Sequence, residues 1–390
     1  MLYVSKVQIF LWRIEIKNTK DMTEKPTIIF ISNRFGYGPT ITLLQVIRES
    51  MGRVDADLVF AGSGICKEAF DFSLSDRVKF IESDERDIDN LRKLLACYKG
   101  KKVFLISCLN RLAIQVAKEL SIPNALVDFL TWMWNEIPQG YEDTNHYFSN
   151  HFGTSNKRPS MIEVPLILGP ISERKSYKKE YLLVNIGGTQ NHLVPSIPRN
   201  YLTLLSYLLN NLKVPTGLKV VVAGGREAIC FLKTLSTRPE FRIESLLSSE
   251  YISIQHRSKK IISLAGTNST FMSFIVGVPV VFLLPQLYAH YKLTLFLKER
   301  KYITNCQHWD DYMDVPTDIN LLTEKDSIFL IEDLAANAIT NIKVLAKIME
   351  DLQNMVDIEI NIAGQERFIS DFGVGGEQII WNYLSKFWFK

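Results

Sequence analysis

AGTNSTFMSFIVGVPVVFLLPQLYAHYKLTLFL, residues 265–297, follows the apolar run KIISL and carries a complete structural grammar. A small-residue turn opens a helix-period segment, STFMSFIVG. Gly277 then ends that helix, and Pro279 blocks its continuation. The apolar strand VPVVFLLP and a second helix, AHYKLTLFLKERK, complete the unit. Strand, turn, helix, strand, turn, helix is the order of a parallel sheet covered on both faces. Gly266, Thr267, Asn268, Ser269 and Thr270 form the turn, whose backbone amides and hydroxyls suit an anion at a helix N-terminus.

The rhythm extends in both directions. Upstream, EYLLVNIGG leads to NYLTLLSYLLNNL, and LKVVVAGG to REAICFLKTL. In the first half, TIIFIS precedes ITLLQVIRESM, DADLVFAGSG precedes ICKEAFDF, RVKFIES precedes DIDNLRKLLACYKG, and KKVFLIS precedes NRLAIQVAKELSI; a fifth apolar run, NALVDFL, follows. The alternation pauses across 134–165, a stretch rich in turn formers and polar residues. The expected architecture is α/β: two facing doubly wound domains with a deep cleft between them. The expected boundaries are an N-terminal extension over 1–25, a first domain over 26–168, a linker over 169–180 and a second domain over 181–370. A helix over 371–390 is expected to pack back on the first domain. Glycines collect at five strand-to-helix junctions: Gly36 and Gly38, Gly62 and Gly64, Gly187 and Gly188, Gly224 and Gly225, and Gly266. Tight turns use glycine for geometry alone, so several of the five are expected to be only turns.

Composition bounds the partners. A formal charge of +3 over 390 residues argues against nucleic acid or an anionic membrane as partner. The basic clusters SERKSYKKEY and FLKERK read as solvated linker and helix face. Five scattered cysteines, without a CxxC pair, fit a reducing, cytoplasmic setting. No run reaches the roughly 18 apolar residues that a membrane span needs.

The C-terminal order of motifs resembles the donor-binding half of GT-B glycosyltransferases, which bind a nucleotide-sugar between two such domains. The resemblance implies that Gly187, Gly188 and Thr189 lie near the donor diphosphate and that Gly266–Thr270 hold phosphate. It also implies that the loop from Pro285 through Gln286 to His290 approaches the donor sugar or phosphate. NRFGYGPT, with Phe35, Gly36, Tyr37 and Gly38, matches the first N-terminal loop of that family, which borders the cleft. A narrower likeness lies in FGYGPTITLLQVI, LVDFLTWMWNEIP, LVNIGGTQN and FLLPQ. These are similar to cytosylglucuronate synthases, which move glucuronate from UDP-glucuronate to a cytosine base. One departure stands out: many family members carry an acidic residue on the helix after the phosphate turn, to bind the donor ribose, whereas the matching position here is about Met272.

The residues themselves nominate further roles. An inverting transfer wants a general base close to the acceptor nucleophile; Asp128, at a strand's carboxyl end, and Glu136, on an extended loop before Ile-Pro, are the candidates. Trp132 and Trp134 either stack an aromatic acceptor or pack between domains. Arg226, after Gly224–Gly225, is a candidate for the diphosphate. His146 and His151 sit in the long polar interval, and His308 has no evident partner. The DAD triplet at 55–57 stands at the wrong end of its strand for a metal in the cleft, and neither metal nor cofactor is expected. A Ser-His-Asp order, Walker A, HExxH and GxGxxG are absent from the sequence. The reading is therefore a transferase acting on a nucleotide-sugar donor and a small-molecule acceptor. Two rivals remain: a hydrolase or epimerase of the same fold, and a catalytically silent ligand-binding homologue, which the missing ribose carboxylate favours.

Overall fold

A computed structural model describes residues 25–388 apart from 135, 151, 153–159, 170–176, 190–192, 195, 317–318 and 320–321. The expected extension over 1–25 lies outside the described residues save for Lys25, as do His151 and most of the expected linker.

The first half builds a parallel sheet from β1 (Thr27–Ser32), β2 (Asp57–Gly62), β3 (Val78–Glu82), β4 (Val103–Cys108), β5 (Asn124–Asp128), β6 (His146–Asn150) and β7 (Met161–Val164). Their order is β3-β2-β1-β4-β5-β6-β7. Helices α1 (Gly38–Ser50), α2 (Ile65–Ala69), α3 (Ile88–Ala96) and α4 (Arg111–Glu119) connect the first five strands. Every residue of β1 and β4 is buried, as unbroken apolar strands between two helical layers require. Strands β6 and β7 correct the reading of 134–165 as a pause. HYFSN and MIEV are short and polar enough to pass for loop, yet they add to the sheet beside β5.

The second half has the order β10-β9-β8-β11-β12. Its strands are β8 (Tyr181–Gly187), β9 (Lys219–Gly224), β10 (Arg242–Glu244), β11 (Ser258–Ser263) and β12 (Val280–Phe282). Around them run α5 (Arg199–Asn211), α6 (Arg226–Leu235), α7 (Ser248–His256), α8 (Thr267–Ile275) and α9 (Tyr288–Glu299). The long helices α10 (Glu324–Thr340) and α11 (Ile342–Asp357) follow, then α12 (Ala363–Phe372) and α13 (Gly376–Phe387). Both sheets reverse strand order at one place, between β1 and β4 and between β8 and β11. Crevices of doubly wound sheets open at the carboxyl ends beside such reversals.

The chain crosses between domains twice, near 165–181 and again near 362–376. The crossings run side by side: Leu166 N donates to Gly373 O (3.3 Å) and Gly376 N to Leu166 O (3.1 Å). Beyond them α13 lies on α1, where Trp381 Nε1 donates to Val46 O at 2.6 Å. One apolar cluster spans the two domains: Phe152 stacks near Trp132 and meets Phe271 and Phe368 edge-on.

Candidate functional site between the domains

The turns after β1 and β8 meet backbone to backbone. Gly36 has φ +59°, and a Cβ there would stand 2.9 Å from Gly188 O. A Cβ on Gly188 would stand 2.9 Å from both Tyr37 N and Ile65 Cδ1. Glycine is required at both positions by this approach. The lip of the cleft is therefore closed in this structure. The β1 turn is anchored from behind. Asn33 Nδ2 donates to Leu109 O (3.0 Å). The Arg34 guanidinium forms an ion pair with Glu85 (Nε–Oε1 2.5 Å). Glu85 is 1% exposed and also accepts from Ser63 N, tying the β1, β2 and β3 ends together; burial raises its pKa.

Two helix N-termini come close together at this junction. Tyr37 is the N-cap of α1 and Gly266 that of α8, and neither helix has a side-chain cap. Asn268 Nδ2 donates to Gly38 O and to Thr42 Oγ1, both at 3.0 Å, which brings the two ends within one side chain of each other. Asn268, nominated for the donor, thus joins the domains here. Ser269 Oγ donates back to Gly266 O. The first turn of α8 therefore lies alongside the first turns of α1. The Thr189 and Thr270 hydroxyls on the adjoining turns are buried, at 4% and 0% exposure, and neither has a partner among the described residues. Leaving such a group unpaired costs about 1–3 kcal/mol, which a ligand would recover.

The loop after β12 is held by two buried aromatic side chains. Tyr201 OH donates to Leu284 O (2.6 Å), and Trp309 Nε1 to Pro285 O (2.7 Å). This fixes Gln286, itself buried, and the start of α9. His290, in the first turn of α9, is half-buried, and its Nδ1 has no partner among the described residues. Burial depresses its pKa to about 4, so at neutral pH it offers a hydrogen bond without a positive charge. Arg226 lies on the other flank of β8: its backbone N donates to Glu68 Oε1 (3.0 Å) and its residue is exposed.

On the acceptor side the candidates separate. Asp128 is 0% exposed, and its oxygens accept from Leu130 N (2.8 Å), Trp134 Nε1 (3.1 Å) and Tyr147 OH (2.7 Å). Burial raises its pKa to about 6 against these donors. Enclosed this way, it holds the loop that follows β5 instead of facing an open cleft. Trp132 is core: its Nε1 donates to Phe129 O and its ring stacks near Phe152. Trp134 is half-buried and held by Asp128, while Glu136 two residues further on is exposed. From the facing domain, Lys292 Nζ donates to Met133 O (2.9 Å), fastening α9 to the same loop.

The remaining nominations lie elsewhere. His146 opens β6 at the amino edge of the sheet, where its Nε2 accepts from Trp388 Nε1. His308, expected to lack a partner, has Nδ1 2.6 Å from Asp310 Oδ2 and its ring against Tyr291. Asp55 and Asp57 pair with Lys25 at the amino end of β2.

No family model matches the chain, and no curated protein matches it. Solved structures do share its architecture. S. aureus MnaA, solved with UDP, aligns with a TM-score of 0.52 at 11% identity, over 93% of this chain and 97% of that one. A UDP-glucosyltransferase from Polygonum tinctorium, solved with 3,4-dichloroaniline, gives 0.50 at 14%, over 87% and 100%. Phytolacca americana UGT2, with UDP-2-fluoroglucose and pterostilbene, gives 0.50 at 13%, over 93% and 99%. The fold is GT-B. At these identities the likeness is one of fold alone. Within this GT-B cleft, the sequence had singled out the β1, β8, β11 and β12 turns that the structure brings to one edge. Glu68, Glu85 and Lys292 went unnoticed, because no local pattern distinguishes them from solvated charges.

Proposed function

We propose that the chain is a glycosyltransferase that moves a sugar from a nucleoside diphosphate to a small acceptor without a metal. The observation that carries this is the pair of helix N-termini without side-chain caps brought together by Asn268, with the Thr189 and Thr270 hydroxyls, unpartnered among the described residues, on the adjoining turns. Such an arrangement suits the charge that grows on a leaving diphosphate. Gly187, Gly188 and Gly266–Thr270 hold the diphosphate, and Gln286 and neutral His290 meet the sugar. In an inverting transfer, the acceptor heteroatom attacks the anomeric carbon, the bond from that carbon to the diphosphate oxygen breaks, and Glu136 takes the acceptor's proton. Trp134 offers a face to a flat acceptor. The narrower form of the proposal is UDP-glucuronate as donor and a cytosine-type base as acceptor, resting on the sequence stretches that resemble cytosylglucuronate synthases.

Calorimetric titration with UDP, CMP, GDP, dTDP and UDP-glucuronate, in chelator, tests the donor half. Selective binding of one nucleotide supports it; binding of none overturns it. Glu136→Gln should leave that affinity unchanged and lower turnover at least about a hundredfold; full turnover would place the base elsewhere. One observation favours a second reading, a silent ligand-binding protein: α8 carries no carboxylate for a ribose. Nucleotide binding without transfer to any acceptor would select it. Free sugar or an epimer formed without acceptor would select the hydrolase or epimerase.

A further inference from the structure

Glu68 sits on α2, in the first domain, and plays no part in the chemistry above. Its Oε1 accepts from Tyr37 OH (2.6 Å), from Arg226 N (3.0 Å) and from Ser245 Oγ (3.4 Å). The last two donors belong to the facing domain. Arg226 N is the first amide of α6, a helix with no side-chain cap of its own. A carboxylate from across the cleft therefore supplies the negative charge that this helix end favours. Burial and Glu68 both raise the Tyr37 pKa, so the phenol keeps its proton and donates.

Strand order decides what this contact does. Arg226 follows β9 and Ser245 follows β10, both on one side of β8. Of the groups assigned above to the diphosphate and sugar, Gly187 and Gly188 end β8 itself, and the rest follow β11 and β12, on the other side. Glu68 therefore does not occupy the place assigned to the donor. It closes the opposite flank, and the residue it grips, Tyr37, is the one whose backbone N lies against Gly188.

We propose that Glu68 and Tyr37 form an interdomain clasp, and that Glu68 is a positioning residue which seats loop 35–38 on the Gly187–Gly188 turn. Seating that loop also brings the N-terminus of α1 to that of α8. Clasp and donor then favour the same closed state and strengthen each other by linkage. The linkage to donor rests on the donor-site reading; the clasp itself does not.

The experiment uses the full chain and the variants Glu68→Ala, Tyr37→Phe and Glu68→Gln, each checked for intact secondary structure by circular dichroism. Small-angle scattering without ligand reads closure, and calorimetry with UDP and the other nucleotides above reads linkage. Glu68→Ala and Tyr37→Phe should increase the radius of gyration and weaken nucleotide binding about fivefold or more. Glu68→Gln keeps an acceptor oxygen for its three donors and should restore most of the closure. Unchanged scattering in Glu68→Ala and Tyr37→Phe would overturn the clasp. Tighter nucleotide binding in those variants would overturn the linkage and make the contact a gate. If the unaltered protein binds no nucleotide, the donor-site reading falls, and scattering alone still decides the clasp.

Discussion

Replacing Asp128 by asparagine removes a buried charge while nearly keeping its shape, and the consequence can be worked out with its sign. The carboxyl is fully enclosed and its folded pKa is raised to about 6, burial being the main cause. In an unfolded chain an aspartate titrates near ~3.9. The folded state therefore holds the proton more tightly, so the stabilisation from protonation is complete at low pH and is lost as pH rises through 6. At about 1.4 kcal/mol per pH unit, the gap between the two values makes roughly 3 kcal/mol in all, of which about 1.4 kcal/mol falls between pH 5 and 7.5. The Asp128→Asn variant has no such titration. Its amide oxygen can still accept from Trp134 and Tyr147, but its NH2 meets the Leu130 N–H that the carboxylate satisfied, a constant penalty of about 1–3 kcal/mol. Urea denaturation of both proteins at pH 5, 6 and 7.5 isolates the titration as a difference, since other carboxylates cancel. The advantage of the natural protein over Asp128→Asn should grow by about 1.4 kcal/mol from pH 7.5 to pH 5. A difference that stays flat across that range would refute the burial account of Asp128.

Two further substitutions probe other contacts. Gly188→Ala adds a methyl 2.9 Å from Tyr37 N and Ile65 Cδ1 at a residue without positive φ, so any effect comes from the interdomain approach and not from backbone strain. It should open the cleft in small-angle scattering and cost about 1–3 kcal/mol by thermal unfolding; unchanged scattering would mean that the loops do not touch in solution. Lys260 Nζ donates to Met355 O (3.1 Å), Val356 O (2.5 Å) and Ile358 O (2.6 Å), closing the C-terminus of α11. Lys260→Met should lower stability by about 1–3 kcal/mol, since some of those carbonyls regain water when the lysine is gone. An unchanged melting temperature would show that the cap is redundant.

The parts of this architecture that the sequence made legible are those written locally. Buried parallel strands read as unbroken apolar runs, and Gly-Gly-Thr or Gly-Thr-Asn-Ser-Thr marks a strand end turning into a helix. The parts it hid depend on distant partners. HYFSN becomes a strand because NALVD offers a sheet edge. Asp128 becomes an internal anchor because Tyr147 and Trp134 are delivered to it by other elements, and a strand-end carboxylate looks the same in sequence whether it is buried or open. Trp132 is drawn inside by Phe152, from beyond the next strand. Glu68 is a half-buried residue on a five-residue helix, and its meaning comes from Arg226 and Ser245 in the other domain.

The paired crossings at Leu166 and Gly373–Gly376 carry a mechanical consequence. Because the chain leaves the first domain and later returns to it, both ends of the described chain belong to one body and the second domain is an inserted loop. After a cut in the first crossing, the chain would tie the second domain to the first only through the packing of α13 on α1. Two adjacent segments bonded to each other resist sliding and stretching but can bend together, so relative motion reduces to rotation about one line. A force applied between residues 25 and 388 would first break the Trp388–His146 contact and then peel α13 from α1 past Trp381, before it loaded the cleft at all.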